Sequence, residues 1–113
     1  MQLEKHRSGE WLVLSLRGDV DLSTLPGLQS EFVRLVRAGE TQIVIDLDRV
    51  DVLGALGLGL FLDLAWRART AGGDCRIVTT NERFRELFAV TRLDYALIVE
   101  DSLSAATHAP PLT

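Results

Sequence analysis

Short apolar or β-branched runs alternate along this chain with longer segments in which apolar residues recur every three or four positions. The first pattern is typical of strands and the second of amphipathic helices. Strands are predicted at 11–16, 42–47, 75–78 and 96–99, with a further short strand within 2–6. A hairpin turn is predicted at 8–10, and Arg17, Gly18 and Asp19 are predicted to turn the chain after the strand at 11–16.

Four helices are predicted between and after these strands, most of them introduced by a capping residue. The first is capped by Ser23 or Thr24, accepts Pro26 in its first turn and ends near Gly39. Its apolar face is formed by Leu25, Leu28, Phe32, Leu35 and Val36. A glycine-rich turn at 51–59 leads into the second helix at 60–70, which the glycines at 72 and 73 end. The third helix follows the cap Asn81 and carries Phe84, Leu87 and Phe88, and the fourth opens at Asp101 or Ser102 and runs through Ala106.

Two initial strands followed by repeated helix–strand units predict an α/β fold. We expect a mixed sheet of four to five strands with about four helices packed mainly on one face, in which the crossovers make consecutive strands parallel. A chain of 113 residues with 47% hydrophobic residues fits one domain. The predicted organisation is a single domain at 1–107 and a flexible C-terminal tail at 108–113.

The charge distribution and the apolar runs exclude several classes of partner. The 16 acidic and 12 basic residues are scattered and give a net charge of −4, so no basic stripe is available for nucleic acid. The apolar run at 52–62 is about half of the roughly 20 residues that span a bilayer, so no membrane span is predicted. Residues 1–7 lack the apolar core of a signal peptide, and the single cysteine cannot form an intramolecular disulfide. A cytoplasmic location is therefore expected.

No pattern in the sequence predicts catalysis, a metal or a cofactor. Asp46, Asp48 and Asp51 end a strand, but no histidine lies near them in sequence, and Cys75 has no evident base to activate it. The spacing Gly54-x-x-Gly57-x-Gly59 matches neither a dinucleotide fingerprint nor a phosphate-binding loop. We therefore expect no enzyme activity and interpret Gly57 and Gly59 as positions that permit close helix–sheet packing.

The second helix has one side that is polar apart from two large apolar residues. Helical spacing groups the positions 56, 59, 63, 66, 67 and 70 on that side, while Leu60, Phe61, Leu64 and Ala68 are predicted to be core. Leu56 and Trp66 therefore share a face with Asp63, Arg67 and Thr70. Core burial and exposure to a partner both remain open for these two side chains. Exposed apolar groups rimmed by charge often mark a partner surface.

Three segments resemble the STAS domain found in bacterial anti-sigma factor antagonists: 18–24 (GDVDLST), 43–59 and 91–94 (TRLD). The family pattern Asp-Ser-Ser-Gly-Leu-Gly aligns with residues 54–59, where Gly57, Leu58 and Gly59 preserve its second half. Its first half is lost, because Gly54 replaces the acidic residue while Ala55 and Leu56 replace the two hydroxyl residues. Arg92 also replaces a glycine that is frequent in the third segment.

The resemblance implies a STAS-like, non-enzymatic module that binds an anti-sigma factor or a related regulatory kinase. In the family, an anti-sigma factor with kinase activity phosphorylates the second hydroxyl residue, and only the unphosphorylated antagonist binds it. Leu56 offers no oxygen to phosphorylate, so the resemblance implies that phosphorylation at the usual position does not control binding. The expected contact residues are Asp21, Ser23, Thr24, Gly54, Ala55, Leu56, Gly57, Gly59, Asp63, Trp66 and Arg67.

Capping and turn chemistry already explain Ser23 or Thr24, which makes Asp21 the stronger functional candidate in its loop. A displaced phosphorylation site at Thr79, Thr80 or Thr91 remains open, as does the choice between a monomer and a homodimer. Two other functions remain open: a structural subunit of a signalling or transporter assembly, and a sensor of a small ligand or nucleotide.

Overall fold

A five-stranded mixed sheet forms the centre of the protein, of which the computed structural model describes residues 1–112. The strands lie in the order of the chain: β1 (Gln2–Ser8), β2 (Trp11–Val20), β3 (Gln42–Leu53), β4 (Asp74–Val78) and β5 (Val99–Glu100). β1 is antiparallel to β2, and every later pair is parallel. The helices are α1 (Leu25–Arg37), α2 (Ala55–Thr70), α3 (Glu82–Val90) and α4 (Leu103–His108), with a 3-10 turn at Leu93–Tyr95. The predicted mixed α/β sheet is confirmed.

The core lies mainly between the sheet and the first three helices. Leu14, Ile45 and Ile77 from the three central strands are fully buried against this layer, which includes Phe32, Phe61 and Phe88. A smaller cluster on the opposite face joins Val13, Val44, Val78 and Ala106. This cluster packs α4 alone on that face, so the prediction that the helices pack mainly on one face is confirmed.

The junction between β3 and α2 is tighter than predicted. β3 continues to Leu53 and α2 begins at Ala55, so Gly54 alone connects them. The prediction of a turn over 51–59 and a helix from residue 60 was wrong. The end of β3 stays extended because it pairs with the end of β2, where Val20 lies opposite Leu53. Packing of α2 on the sheet then supports a helical first turn despite Gly57.

The segment Arg17–Asp19 continues β2 and does not turn the chain, which corrects a second prediction. The register against β3 shifts on both sides of Gly18, with the extra residue on β3 each time, and Gly18 itself has a φ of +101°. A glycine adopts this backbone conformation without steric cost. β2 continues in this way to Val20, opposite Leu53 at the end of β3, so the following loop begins beside the start of α2.

The C-terminal part of the chain also differs from the elements predicted from the sequence. The prediction of a strand at 96–99 was wrong except at Val99: β5 covers only Val99–Glu100, since residues 93–95 form a 3-10 turn and Leu97 and Ile98 are buried before the strand begins. α4 includes His108, which was predicted to begin the tail, and Arg76 Nη1 donates hydrogen bonds to the carbonyls of Ala106 and Ala109 at 2.7 Å each. Residues 109–112 follow without regular structure, and residue 113 lies outside the described part.

Within residues 1–112, no helix has the length and apolar character needed to cross a lipid bilayer.

Candidate partner-binding groove

The adjacent ends of β2 and β3 bring together two segments that lie far apart in sequence. Gly54 N–H donates to the carbonyl of Val20 at 2.9 Å, just after both strands end. The loop from Asp21 to Thr24 follows Val20, and α2 follows Gly54. The sheet therefore places the Asp21 loop beside the first turn of α2.

Gly57 fixes this arrangement by close packing. A Cβ atom at Gly57 would lie 2.8 Å from Val20 Cγ1, which is closer than such atoms pack, and would make a tight contact of 3.2 Å with Leu53 Cδ1. The predicted role of Gly57 in helix–sheet packing is confirmed. The same prediction for Gly59 was wrong, because a Cβ atom there would have no neighbour within 4 Å.

Asp21 organises its own loop through one carboxylate oxygen. Asp21 Oδ1 accepts hydrogen bonds from Ser23 Oγ at 2.7 Å, from Ser23 N at 2.9 Å and from Thr24 N at 3.2 Å. The Ser23 hydroxyl is the main cause that lowers the pKa of Asp21 from its ordinary value, so this carboxylate is ionised near neutral pH. Thr24 occupies the N-cap position of α1, but its side chain makes no cap hydrogen bond and instead donates to the Asp19 carbonyl. Thr24 is thus the N-cap residue, one of the two that the sequence predicted, but it caps α1 without a side-chain hydrogen bond.

A mostly apolar groove lies between the Asp21 loop, α1 and α2. One part, of about 480 Å³, is lined by Asp21, Leu22, Ser23, Leu25, Gly54, Ala55, Leu56 and Gly57. A second part, of about 310 Å³, is lined by Leu25, Gln29, Leu56, Gly59, Leu60 and Asp63. Leu25 and Leu56 border both parts, so we treat them as one feature, the α1–α2 groove. It brings together eight of the eleven residues that the sequence nominated; Thr24, Trp66 and Arg67 lie outside its lining.

The exposed side of α2 continues from this groove. The predicted set at 56, 59, 63, 66, 67 and 70 is exposed, whereas Phe61, Leu64 and Ala68 are buried and Leu60 is partly buried. Leu56 is 60% exposed and Trp66 is 70% exposed, which decides against core burial for both. Between them, Asp63 and Arg67 form an ion pair at 2.9 Å.

Leu22 is the main residue of the groove that the sequence analysis missed. It lies between Asp21 and Ser23 and is 74% exposed. A large apolar residue in a polar loop, outside any helical or strand period, was the available signal. Leu22 and Leu56 together give the groove two exposed leucines from separate segments.

The first turn of α2 has no side-chain oxygen near its backbone N–H groups. Gly54 is the N-cap residue and provides no side-chain acceptor, and the first turn contains no acidic residue. Ala55 and Leu56 follow it without hydroxyl groups. The positive end of the helix dipole therefore faces the groove, but no acceptor for a phosphoryl group lies at these positions.

Asp46 and Asp48, two of the aspartates considered for other chemistry, have structural roles. Asp46 Oδ1 accepts from Asp48 N, and Asp48 Oδ1 accepts from the backbone and hydroxyl of Thr80. No metal-binding group of three or more His, Cys, Asp or Glu residues occurs in the described part of the chain. Cys75 is fully buried, and burial raises the pKa of its thiol far above the ordinary range, which disfavours the reactive thiolate.

The three threonines considered as displaced phosphorylation sites differ in accessibility. Thr79 is fully buried and its hydroxyl accepts from Asn81 N at 3.1 Å. Thr80 is exposed, but its hydroxyl donates to Asp48 at 3.0 Å, where a phosphate would meet a like charge. Thr91 is exposed and its hydroxyl donates to the carbonyl of Leu87 at 2.7 Å. None of the three lines the α1–α2 groove.

Known proteins share both the sequence pattern and this fold. The chain is 28% identical over 109 residues to BtrV of Bordetella bronchiseptica, a proposed anti-sigma factor antagonist, covering 96% of this chain and 94% of BtrV. Its fold matches an anti-sigma factor antagonist from Mycobacterium paratuberculosis with a TM-score of 0.84, at 24% identity, over 94% of this chain and 90% of the other. It also matches the phosphorylated form of the Bacillus cell fate determinant SpoIIAA with a TM-score of 0.70, at 16% identity, over 91% and 94% of the two chains. The model of the STAS domain matches residues 2–106. This chain therefore belongs to the STAS domain family.

Proposed function

We propose that this protein is an anti-sigma factor antagonist: it binds an anti-sigma factor through the α1–α2 groove and the adjoining exposed side of α2. Family membership and the similarity to BtrV support this function. The exposed Leu56 carries the proposal, because an uncharged leucine stands at the centre of the groove. The protein acts in the cytoplasm, without enzymatic activity of its own.

Binding is not switched by phosphorylation of the first turn of α2. A phosphoryl group there would add about −1.5 to −2 charges to a surface that otherwise contacts the partner. Ala55 and Leu56 have no hydroxyl to accept it. The amount of protein in the cell then determines how much anti-sigma factor is sequestered, whether or not that factor is a kinase.

The test is titration of the full chain with each purified anti-sigma factor of its own organism, with and without ATP, by isothermal titration calorimetry. The proposal predicts one partner that binds with equal affinity under both conditions and releases its sigma factor. It fails if no anti-sigma factor binds, or if ATP dissociates the complex and places phosphate within residues 54–59. A structural subunit would instead self-associate in light scattering, and a nucleotide sensor would show a higher Tm with ATP alone.

A further inference from the structure

Gly57 and Gly59 lie two residues apart in α2, but only one of them is needed by the fold. Gly57 is buried against Val20 and Leu53, where a Cβ atom would clash. Gly59 is exposed, and a Cβ atom there would meet nothing within 4 Å. Glycine weakens a helix interior relative to alanine, so Gly59 lowers helix stability with no gain in packing inside the protein.

The space above Gly59 is part of the α1–α2 groove. Leu25, Leu56 and Leu60 surround it together with Gln29 and Asp63. Asp63 is the one charged residue of this part, and its carboxylate is already paired with Arg67 at 2.9 Å. An uncharged apolar side chain is therefore the occupant that this space accepts without leaving a charge unpaired.

We propose that Gly59 is a specificity-determining residue: its missing side chain leaves room for an apolar side chain of the bound anti-sigma factor. This inference rests on the proposed function, since it names what the partner places in the groove. Leu56 and Leu60 contact that side chain. The absence of a Cβ atom at Gly59 determines how deeply the partner's side chain enters the groove. Partners with a charged residue at this point bind less tightly, because that charge would lose water in a part of the groove lined mainly by apolar residues.

The test compares Gly59→Leu with Gly27→Leu in binding to the anti-sigma factor that the wild-type protein binds. Gly27 is the matched control because it is an exposed helical glycine in α1, also has nothing within 4 Å of a Cβ atom, and borders a different depression beside β1. We expect Gly59→Leu to weaken binding at least tenfold and Gly27→Leu to change it less than twofold. Gly59→Ala should raise Tm by a few degrees, since it improves the helix without a clash.

Two charged variants identify the occupant. Gly59→Glu and Gly59→Lys should weaken binding to a similar degree if the partner side chain is apolar. A loss with only one of them would show an occupant whose charge has the same sign as the side chain of that variant, and would overturn the assignment. The inference is also overturned if Gly59→Leu binds as tightly as Gly27→Leu, or if Gly59→Ala lowers Tm. If the wild-type protein binds no anti-sigma factor, that result would instead contradict the proposed function, and with it this inference.

Discussion

Gly57 lies so close to Val20 that a Cβ atom on Gly57 would stand 2.8 Å from Val20 Cγ1. Val20 is the last residue of β2, and its carbonyl accepts the N–H of Gly54 at 2.9 Å. This contact therefore joins the start of α2 to the strand that leads into the Asp21 loop. Both walls of the α1–α2 groove therefore begin beside Val20.

The first prediction is that Gly57→Ala destabilises the protein. Overpacking against the stiff side chain of Val20 should outweigh the better helix propensity of alanine, for a net loss of about 1–2 kcal/mol in the free energy of unfolding. Urea denaturation measures it, with Gly59→Ala as the control that should stabilise the protein by about 0.5–1 kcal/mol. In the double variant Gly57→Ala, Val20→Ala, the loss should be smaller than the sum of the two single losses. Additive losses would show that the two residues do not interact.

A second prediction concerns Trp66, which lies on the side of α2 that continues from the groove. Because Trp66 is 70% exposed, binding of the partner should shift its fluorescence emission to shorter wavelength. Trp66→Ala should weaken binding by about 1–2 kcal/mol, while the free energy of unfolding changes by about 0.5 kcal/mol or less. The fluorescence is recorded in a Trp11→Phe background to isolate the signal of Trp66. An unchanged emission on saturation with partner would place the interface elsewhere.

The third prediction is that ATP and the bound anti-sigma factor leave residues 54–59 unmodified. Neither Ala55 nor Leu56 has an oxygen that could attack a phosphorus atom. Thr79 should also stay unmodified in the folded protein, because it is fully buried. Mass spectrometry of proteolytic fragments provides the measurement. Leu56→Ser is the matched variant, and a kinase partner should phosphorylate it while sparing the wild-type chain.

The fourth prediction is a loss of stability in acid through Glu31. Hydrogen bonds from Arg34 at 3.0 Å and from Lys5 lower the pKa of Glu31 from 4.5 to about 2, and the Lys5 contact links β1 to α1. The folded state thus holds this proton less tightly than the unfolded chain, so the stabilisation is complete above pH 4.5 and is lost as the pH falls toward 2. Urea midpoints measured across this range should fall less steeply for Glu31→Gln. Parallel curves for the two proteins would contradict the assignment.

The sequence predicted the elements whose residues follow a clear period. The apolar face of the first helix, the buried Phe61, Leu64 and Ala68 of the second, the β-branched centre of β3 and the cap Asn81 appear as expected. Asn81 accepts from the N–H groups of Arg83 and Phe84. The junction of β3 and α2 was mispredicted because its glycines indicate a turn locally, while pairing with β2 and packing on the sheet decide the outcome. Tertiary contacts therefore determine the conformation of this junction.

The groove could be predicted only in part. The exposed side of α2 follows from helical spacing, and the resemblance to the STAS domain joined it to the Asp21 loop. The different roles of Gly57 and Gly59 have no sequence signal, since they depend on whether Val20 stands opposite the missing side chain. The exposure of Leu22 likewise depends on the loop conformation, which the hydrogen bonds from Ser23 N and Thr24 N to Asp21 stabilise. The amino-acid sequence alone does not specify that conformation.

The most direct measurement is the affinity of Leu56→Asp for the anti-sigma factor that the wild-type protein binds, in the absence of ATP. Val90→Asp is the matched control, because Val90 is also an exposed apolar residue of a helix, 71% exposed, but it does not line the groove. We expect Leu56→Asp to raise Kd at least tenfold, or about 1.4 kcal/mol, and Val90→Asp to leave it unchanged. Equal affinity of Leu56→Asp and the wild-type protein would contradict the claim that this leucine is the centre of the binding surface.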